Sequence, residues 1–223
     1  MPIEIIKKST RDFLAIENKK VFWIKTIIAL TLLLLALGFN IYMGRYADST
    51  IGPQVPDLLI EHLPVWNSGY LLGPVAVLFA VFIFFAAALS APGELPFILA
   101  TITLFIFVRS LFIGLTHLGP INGAVNLDYR FSVWLNYMTF RNDFFFSGHV
   151  GYPFLMFFLV NQKWLKYFCF LYSFLMAAVV LLNRNHYSID VFAAFFIAYG
   201  IYGLSKFLLS WFKDKSLYKA QNY

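Results

Sequence analysis

The chain holds one cysteine, Cys169, so no intrachain disulfide can staple it. Charge is also scarce. Charged residues make up 13% of the 223 positions against 61% hydrophobic, a balance that one soluble core could not hide. That shortage excludes a soluble globular domain. The first apolar run is long and no small-x-small cleavage site follows it, so it reads as a retained span rather than a removable secretory leader.

What the chain has in abundance is long apolar runs. A helical span needs roughly 20 largely apolar residues, and six windows qualify, at about 21–43, 70–90, 97–118, 144–162, 164–182 and 187–212. Pro, Gly and polar residues mark the breaks, as in APGELP at 91–96 and NQKW at 161–164. The expectation is an all-α integral membrane protein: a six-transmembrane-helix bundle over 21–212, an N-terminal segment 1–20 and a basic tail 213–223. Two connections, about 44–69 and 119–143, are longer and fall on the same side, long enough to fold over something.

Orientation follows from the basic residues. Lys7, Lys8, Arg11, Lys19 and Lys20 precede the first span, Lys163 and Lys166 sit between the fourth and fifth, and Lys213, Lys215 and Lys219 follow the last. With six spans these clusters share one side, and the positive-inside tendency makes it cytoplasmic, with both termini inside. The net charge of +6 is accordingly assigned to anionic lipid head groups and not to nucleic acid. Ile3, Ile6, Phe13 and Ile16 among charges fit either an amphipathic interfacial helix or a frayed tail.

On this topology the outer side has arginine but no lysine: Arg45, Arg109, Arg130, Arg141 and Arg184. Arginine's planar fork matches phosphate oxygens, so this face reads as built for a phosphate. The competing reading pairs these arginines with Asp48, Asp57, Glu61, Asp128 and Asp143. Arg109 falls about two turns inside its span, where an ionised group needs a partner or a water-filled cavity.

Two phrases concentrate the remaining chemistry. In NRNHYSIDVF, His186 and Asp190 are four apart and share a helical face. A carboxylate so placed can bond one ring nitrogen, fix the tautomer and raise the basicity of the other, which makes His186 a candidate nucleophile toward phosphorus. In DFFFSGHVGY, Gly148 and Gly151 flank His149, whose role would be general acid for the departing alcohol and then base for the incoming one. Spans of alternating direction bring both histidines to the outer face. His62 and His117 lack such company and read as structural or loop residues. No metal or cofactor is expected.

These residues resemble the sphingomyelin synthase family, a branch of the type 2 phosphatidic acid phosphatase superfamily, from about residue 53 onward. DFFFSGHV from Asp143 is similar to the family's third motif and HYSIDVFAAFF from His186 to its fourth. VRSLFIGLTHLGP around Arg109 is similar to the second, and PQVPD at 53–57 is a faint echo of the first. Arg141 and Asn142 stand where the family usually has Cys and Gly, and Val150 where Thr is common. Phe146 replaces the Pro that precedes Ser-Gly-His in the wider phosphatases, and Arg184, two residues before His186, has the synthase spacing.

The resemblance implies a catalytic triad of His149, His186 and Asp190 in a six-helix bundle, with the site on the extracytoplasmic, periplasmic or lumenal, face. The implied reaction transfers phosphocholine or phosphoethanolamine from a phospholipid donor to a lipid alcohol acceptor such as ceramide or diacylglycerol. On this reading Arg109, Arg184 and Arg141 hold the phosphate, and Asp143 either assists the acceptor or pairs with Arg141. Two alternatives stay open: a hydrolase that uses water on the same intermediate, and a non-catalytic lipid-binding or transport protein. Trp66, Tyr70, Tyr129 and Trp134 could shield the site or form the usual interfacial belt. Oligomeric state is not legible.

Overall fold

The computed structural model describes residues 9–16, 18–125 and 140–213, and every regular element among them is a helix. Helix α1 is Lys19–Ser49, opened by the Asn18 side chain accepting the Val21 N–H at 3.0 Å. Short α2 is Leu58–His62, and α3 is Leu71–Ser90, whose first turn, Leu71–Val75, is a π-turn containing Pro74. A 3₁₀ turn, Pro92–Glu94, leads into α4, Leu95–Leu115. After the long connection come α5 (Gly148–Leu159), α6 (Lys163–Leu182) and α7 (Ser188–Leu208), closed by a 3₁₀ turn at Ser210–Phe212.

Five helical segments are long and apolar enough to cross a membrane, where the sequence windows had given six. The difference is α5. Its 12 residues rise about 18 Å against a hydrocarbon core of about 30 Å. Residues 144–147, counted in that window, are not helical, because Ser147 turns its N–H to the Asp190 carbonyl and starts the helix only at Gly148. The first helix differs in the other direction and runs six residues past 43. Its added turns are packed, with Ala47 buried and the Phe140 ring filling the space a side chain at Gly44 would need.

Helices in lipid gain little from hydrophobicity against one another, so close packing and small side chains hold them. Helix α1 packs along α4, and its buried positions include the small residues Thr26, Ala29, Ala36 and Gly44. Asn40 accepts a hydrogen bond from Ser110 on α4 at 3.1 Å, a bond worth about 0.6 kcal/mol between membrane helices. Helix α5 packs against α6 and α7. Outward faces are apolar: Leu34 and Leu35 on α1, Leu78 and Phe85 on α3, Leu171 on α6, and Phe196 and Phe207 on α7 are all more than half exposed. Such a surface suits lipid and not water, so the chain is read as an integral multi-pass membrane protein.

Contacts between helix ends give the run of the chain. Lys25 Nζ donates to the Lys213 carbonyl at 3.0 Å, which brings the start of α1 and the end of α7 together. At the opposite end, Asp48 near the end of α1 accepts the N–H groups of Arg141 and Asn142 at 2.9 and 3.0 Å. The Ser68 N–H, before α3, reaches Asn183 after α6 at 3.0 Å. Successive long segments therefore alternate in direction, and the starts of α3, α5 and α7 share the end opposite the start of α1 and Lys213. Residues 9–14 are helical, and Phe13 lies edge-on to Phe22 and Trp23. Ile3, Ile6, Lys7, Lys8, Asp128, Tyr129, Arg130, Trp134, Lys215 and Lys219 fall outside the described residues.

Candidate active site

At the start of α7, the His186 Nδ1–H donates to Asp190 Oδ2 at 3.2 Å. A carboxylate only accepts, so Nδ1 carries the hydrogen and Nε2 keeps its lone pair. The same Asp190 oxygen takes the Tyr187 N–H at 3.1 Å, which fastens the carboxylate to the first turn of its own helix, where negative charge is favoured. Asp190 is wholly buried and His186 is 3% exposed, its ring reaching the cavity while the carboxylate stays behind it.

His149 opens α5, with its ring centroid 6.4 Å from that of His186. Its Nε2–H donates to the Leu72 carbonyl at 3.0 Å, so any proton it exchanges with a ligand must travel on Nδ1. Leu72 lies in the π-turn, where the hydrogen-bonding register shifts; such turns recur at functional sites. The backbones of the two motifs are joined directly, since the Ser147 N–H donates to the Asp190 carbonyl at 3.2 Å. No periodicity or motif spacing announces that link.

The arginines divide. Arg109, with a side chain 12% exposed, is ion-paired through Nη2 with Asp143 and donates Nε–H to the Phe146 carbonyl at 3.2 Å. Asp143 thus pairs with Arg109, not with Arg141 as one sequence reading had it. A Cβ at Gly148 would stand 3.0 Å from Arg109 Nε, so a side chain there would press on the guanidinium. Arg141 is exposed and lines the cavity mouth, held by the Asp48 bond to its backbone. Arg184 does not join them: its Nη1 donates to the Asn122 carbonyl at 3.1 Å, and it does not line the cavity. Its left-handed backbone, φ 56°, turns the side chain off the line a regular helix would give. Arg45 lies over the Phe140 ring.

A cavity of about 1110 Å³ connects these groups. Arg109, Arg141, Asn142, Asp143, His149, Asn185 and His186 supply polar lining, and the wall continues along α3 through Leu72, Ala76, Phe79 and Ala80 to Tyr172. Sequence reading missed Asn142 and Asn185, whose type alone carries no chemical signature. Trp66, Tyr70, His62 and His117 are not among the lining residues. His62 bonds the Leu58 carbonyl, and His117 meets the Tyr46 ring. Among the described residues no group of three or more His, Cys, Asp or Glu side chains could hold a metal.

Residues 142–207 match the family described as PAP2 superfamily C-terminal. The matched stretch contains both histidine motifs and supports the type 2 phosphatidic acid phosphatase superfamily, hence an enzyme of phosphate-group chemistry, a lipid phosphatase or phosphotransferase in general. No curated protein matches the chain.

Proposed function

We propose that the chain is a lipid phosphotransferase of the sphingomyelin synthase-like branch. It moves phosphocholine or phosphoethanolamine from a glycerophospholipid to ceramide or a similar lipid alcohol and releases diacylglycerol. The observation that carries this reading is one cavity with two characters. A nucleophile-ready His186–Asp190 couple, a second histidine and two arginines meet at its polar part, and an apolar wall suited to acyl chains continues from them.

The donor's phosphodiester lies against Arg109 and Arg141, whose charge offsets what develops on the phosphoryl oxygens. His186 Nε2 attacks phosphorus and forms an N–P bond as the P–O bond to diacylglycerol breaks. The departing oxygen takes its proton from His149 Nδ1, the ring nitrogen that the Leu72 carbonyl leaves open. In the second half, the acceptor hydroxyl returns a proton to that nitrogen, its oxygen attacks phosphorus, and the N–P bond breaks to regenerate His186. Asp190 holds His186 in the required tautomer throughout. Arg184 supports the wall at Asn122 and does not ligate the phosphate. On this reading six segments cross the membrane, the mostly buried 144–147 stretch extending short α5, with both termini cytoplasmic and the site extracytoplasmic.

Arg141 is exposed at the mouth, which favours water as a competing acceptor and hydrolysis of the same intermediate as the second reading. The test uses purified protein in liposomes and a phospholipid labelled in its phospho-head group, with and without ceramide. Label on ceramide is expected. Label released to water with ceramide present would replace the transferase by a hydrolase, and no turnover of either kind would overturn both readings.

A further inference from the structure

Asp57 stands outside the cavity, yet it bonds to the helix that carries the His186–Asp190 couple. Its Oδ1 accepts the N–H groups of Leu59 and Ile60 at 3.0 and 3.1 Å and so caps α2. Its Oδ2 accepts the Ser188 N–H at 2.7 Å, across 131 residues of chain. Ser188 is the first residue of α7, two before Asp190 and two after His186. One carboxylate therefore joins the first connection to the turn that sets the geometry of the couple.

A second tie reinforces it. Tyr187 is 1% exposed, and its hydroxyl donates to the Gly119 carbonyl at 2.8 Å while accepting the Val55 N–H at 3.3 Å. Gly119 in turn donates its N–H to the Pro53 carbonyl at 2.9 Å. A Cβ on Gly119 would meet the Gly52 carbonyl oxygen at 2.4 Å, so the strands of this knot touch backbone to backbone. Residues 53–57, 119 and 187–188 form one hydrogen-bonded unit around the start of α7.

The exposed N–H groups of a helix start compete for any nearby acceptor. In the first turn of α7 two carboxylates share them: Asp57 takes Ser188, and Asp190 takes Tyr187 and the His186 ring. With Ser188 satisfied from outside, Asp190 is not drawn to it. Partial burial pushes the Asp57 carboxyl up, but the bonds from Ser188, Ile60 and Leu59 outweigh it and hold the group below the ordinary carboxylate range, charged and accepting.

We infer that Asp57, with Tyr187 behind it, is a positioning residue that keeps Asp190 on His186 by occupying the Ser188 N–H. The inference rests on the proposed role of His186, and its readout does not need turnover. Asn caps a helix as well as Asp does, so Asp57→Asn preserves the α2 cap and replaces the acceptor facing Ser188 with an amide donor. The groups facing His186 are Asp190 on its own helix and His149 on α5, with Asp143 and Arg109 beside His149; Asp57→Asn leaves all four side chains in place.

The experiment compares wild type, Asp57→Asn and Tyr187→Phe in detergent by ¹⁵N-histidine NMR, which reports the ring nitrogen that carries the hydrogen. His186→Ala assigns the His186 signal among four histidines. Wild type is expected to show the Nδ1–H form of His186, and both variants a mixture of the two tautomers. In the transfer assay, Asp57→Asn should lower kcat about tenfold with KM within about twofold, the pattern of lost transition-state alignment. An unchanged His186 tautomer in a folded variant would overturn the inference; if only Tyr187→Phe folds, its spectrum decides. Absence of all turnover would sink the proposed function and leave the spectra to judge Asp57.

Discussion

Which ring nitrogen holds the hydrogen decides what each histidine does. His186 is committed at Nδ1 to Asp190 and His149 at Nε2 to Leu72, so the atoms left for chemistry are Nε2 on one ring and Nδ1 on the other. The arginines separate by the same kind of detail. Arg109→Lys is expected to lose about 100-fold in transfer, because a lysine replaces a fork by a point charge. Arg184→Lys should lose less than about tenfold, since its guanidinium bonds a loop carbonyl. Equal losses in the liposome assay would return Arg184 to the phosphate. The i to i+4 spacing of His186 and Asp190 was legible in the sequence because a regular helix enforces it. The direction of Arg184 was not, because periodicity assumes ordinary φ and this residue departs from it.

At the scale of elements, two devices set the site. The π-turn of α3 supplies the Leu72 carbonyl, and Pro74 within it has no N–H to give to a regular helix. Pro74→Ala should restore an ordinary turn, draw the Leu72 carbonyl back into the helix and cut turnover roughly tenfold while helix content by circular dichroism stays constant. Unchanged turnover would remove the π-turn from the mechanism. The second device is the Asp57 clamp. Because its carboxyl lies below the ordinary range when folded, the stability it adds is present above its unfolded value, 3.8, and disappears as pH falls through the lower folded one. The Tm gap between wild type and Asp57→Asn should therefore be full at neutral pH and close under acid; a constant gap would mean that the carboxylate charge contributes nothing.

Hydropathy windows found the long helices because each carries an apolar run long enough to fill the window. They began α5 too early, where a hydrophobic sequence, DFFFSG, spends its first residues on a partly buried non-helical approach. They also stopped α1 early, since Arg45 and Asp48 read as polar loop although one lies over a ring and the other caps the 141–142 backbone. Neither the Asp57–Ser188 bond nor the Ser147–Asp190 link has a periodic signature, because each depends on how distant backbones meet.

For the molecule as a whole, alternation of direction is the property that assembles the site. It brings the starts of α3, α5 and α7 to one end, opposite the bond between Lys25 and Lys213. Single cysteines at Lys20 and Ser49, both exposed and at opposite ends of α1, should react with an impermeant maleimide from opposite sides of sealed vesicles. The native Cys169 is buried and should stay silent. Labelling of both from one side would contradict a membrane-crossing α1 and the separation of the site from the start of α1. The expectation that His149 and His186 meet came from the same alternation, applied to six windows of which five are helices long enough to cross a membrane among the described residues.

The most direct test of His186 as nucleophile is to trap the intermediate. Wild-type protein is mixed with phospholipid labelled in its phospho-head group, quenched in base within a turnover, and digested for peptide mapping, with His186→Ala in parallel. Label is expected on the peptide containing His186, chased by added ceramide, and missing from the variant along with turnover. Rapid transfer by the variant, with no label on the wild-type peptide, would contradict a phosphohistidine route through this residue.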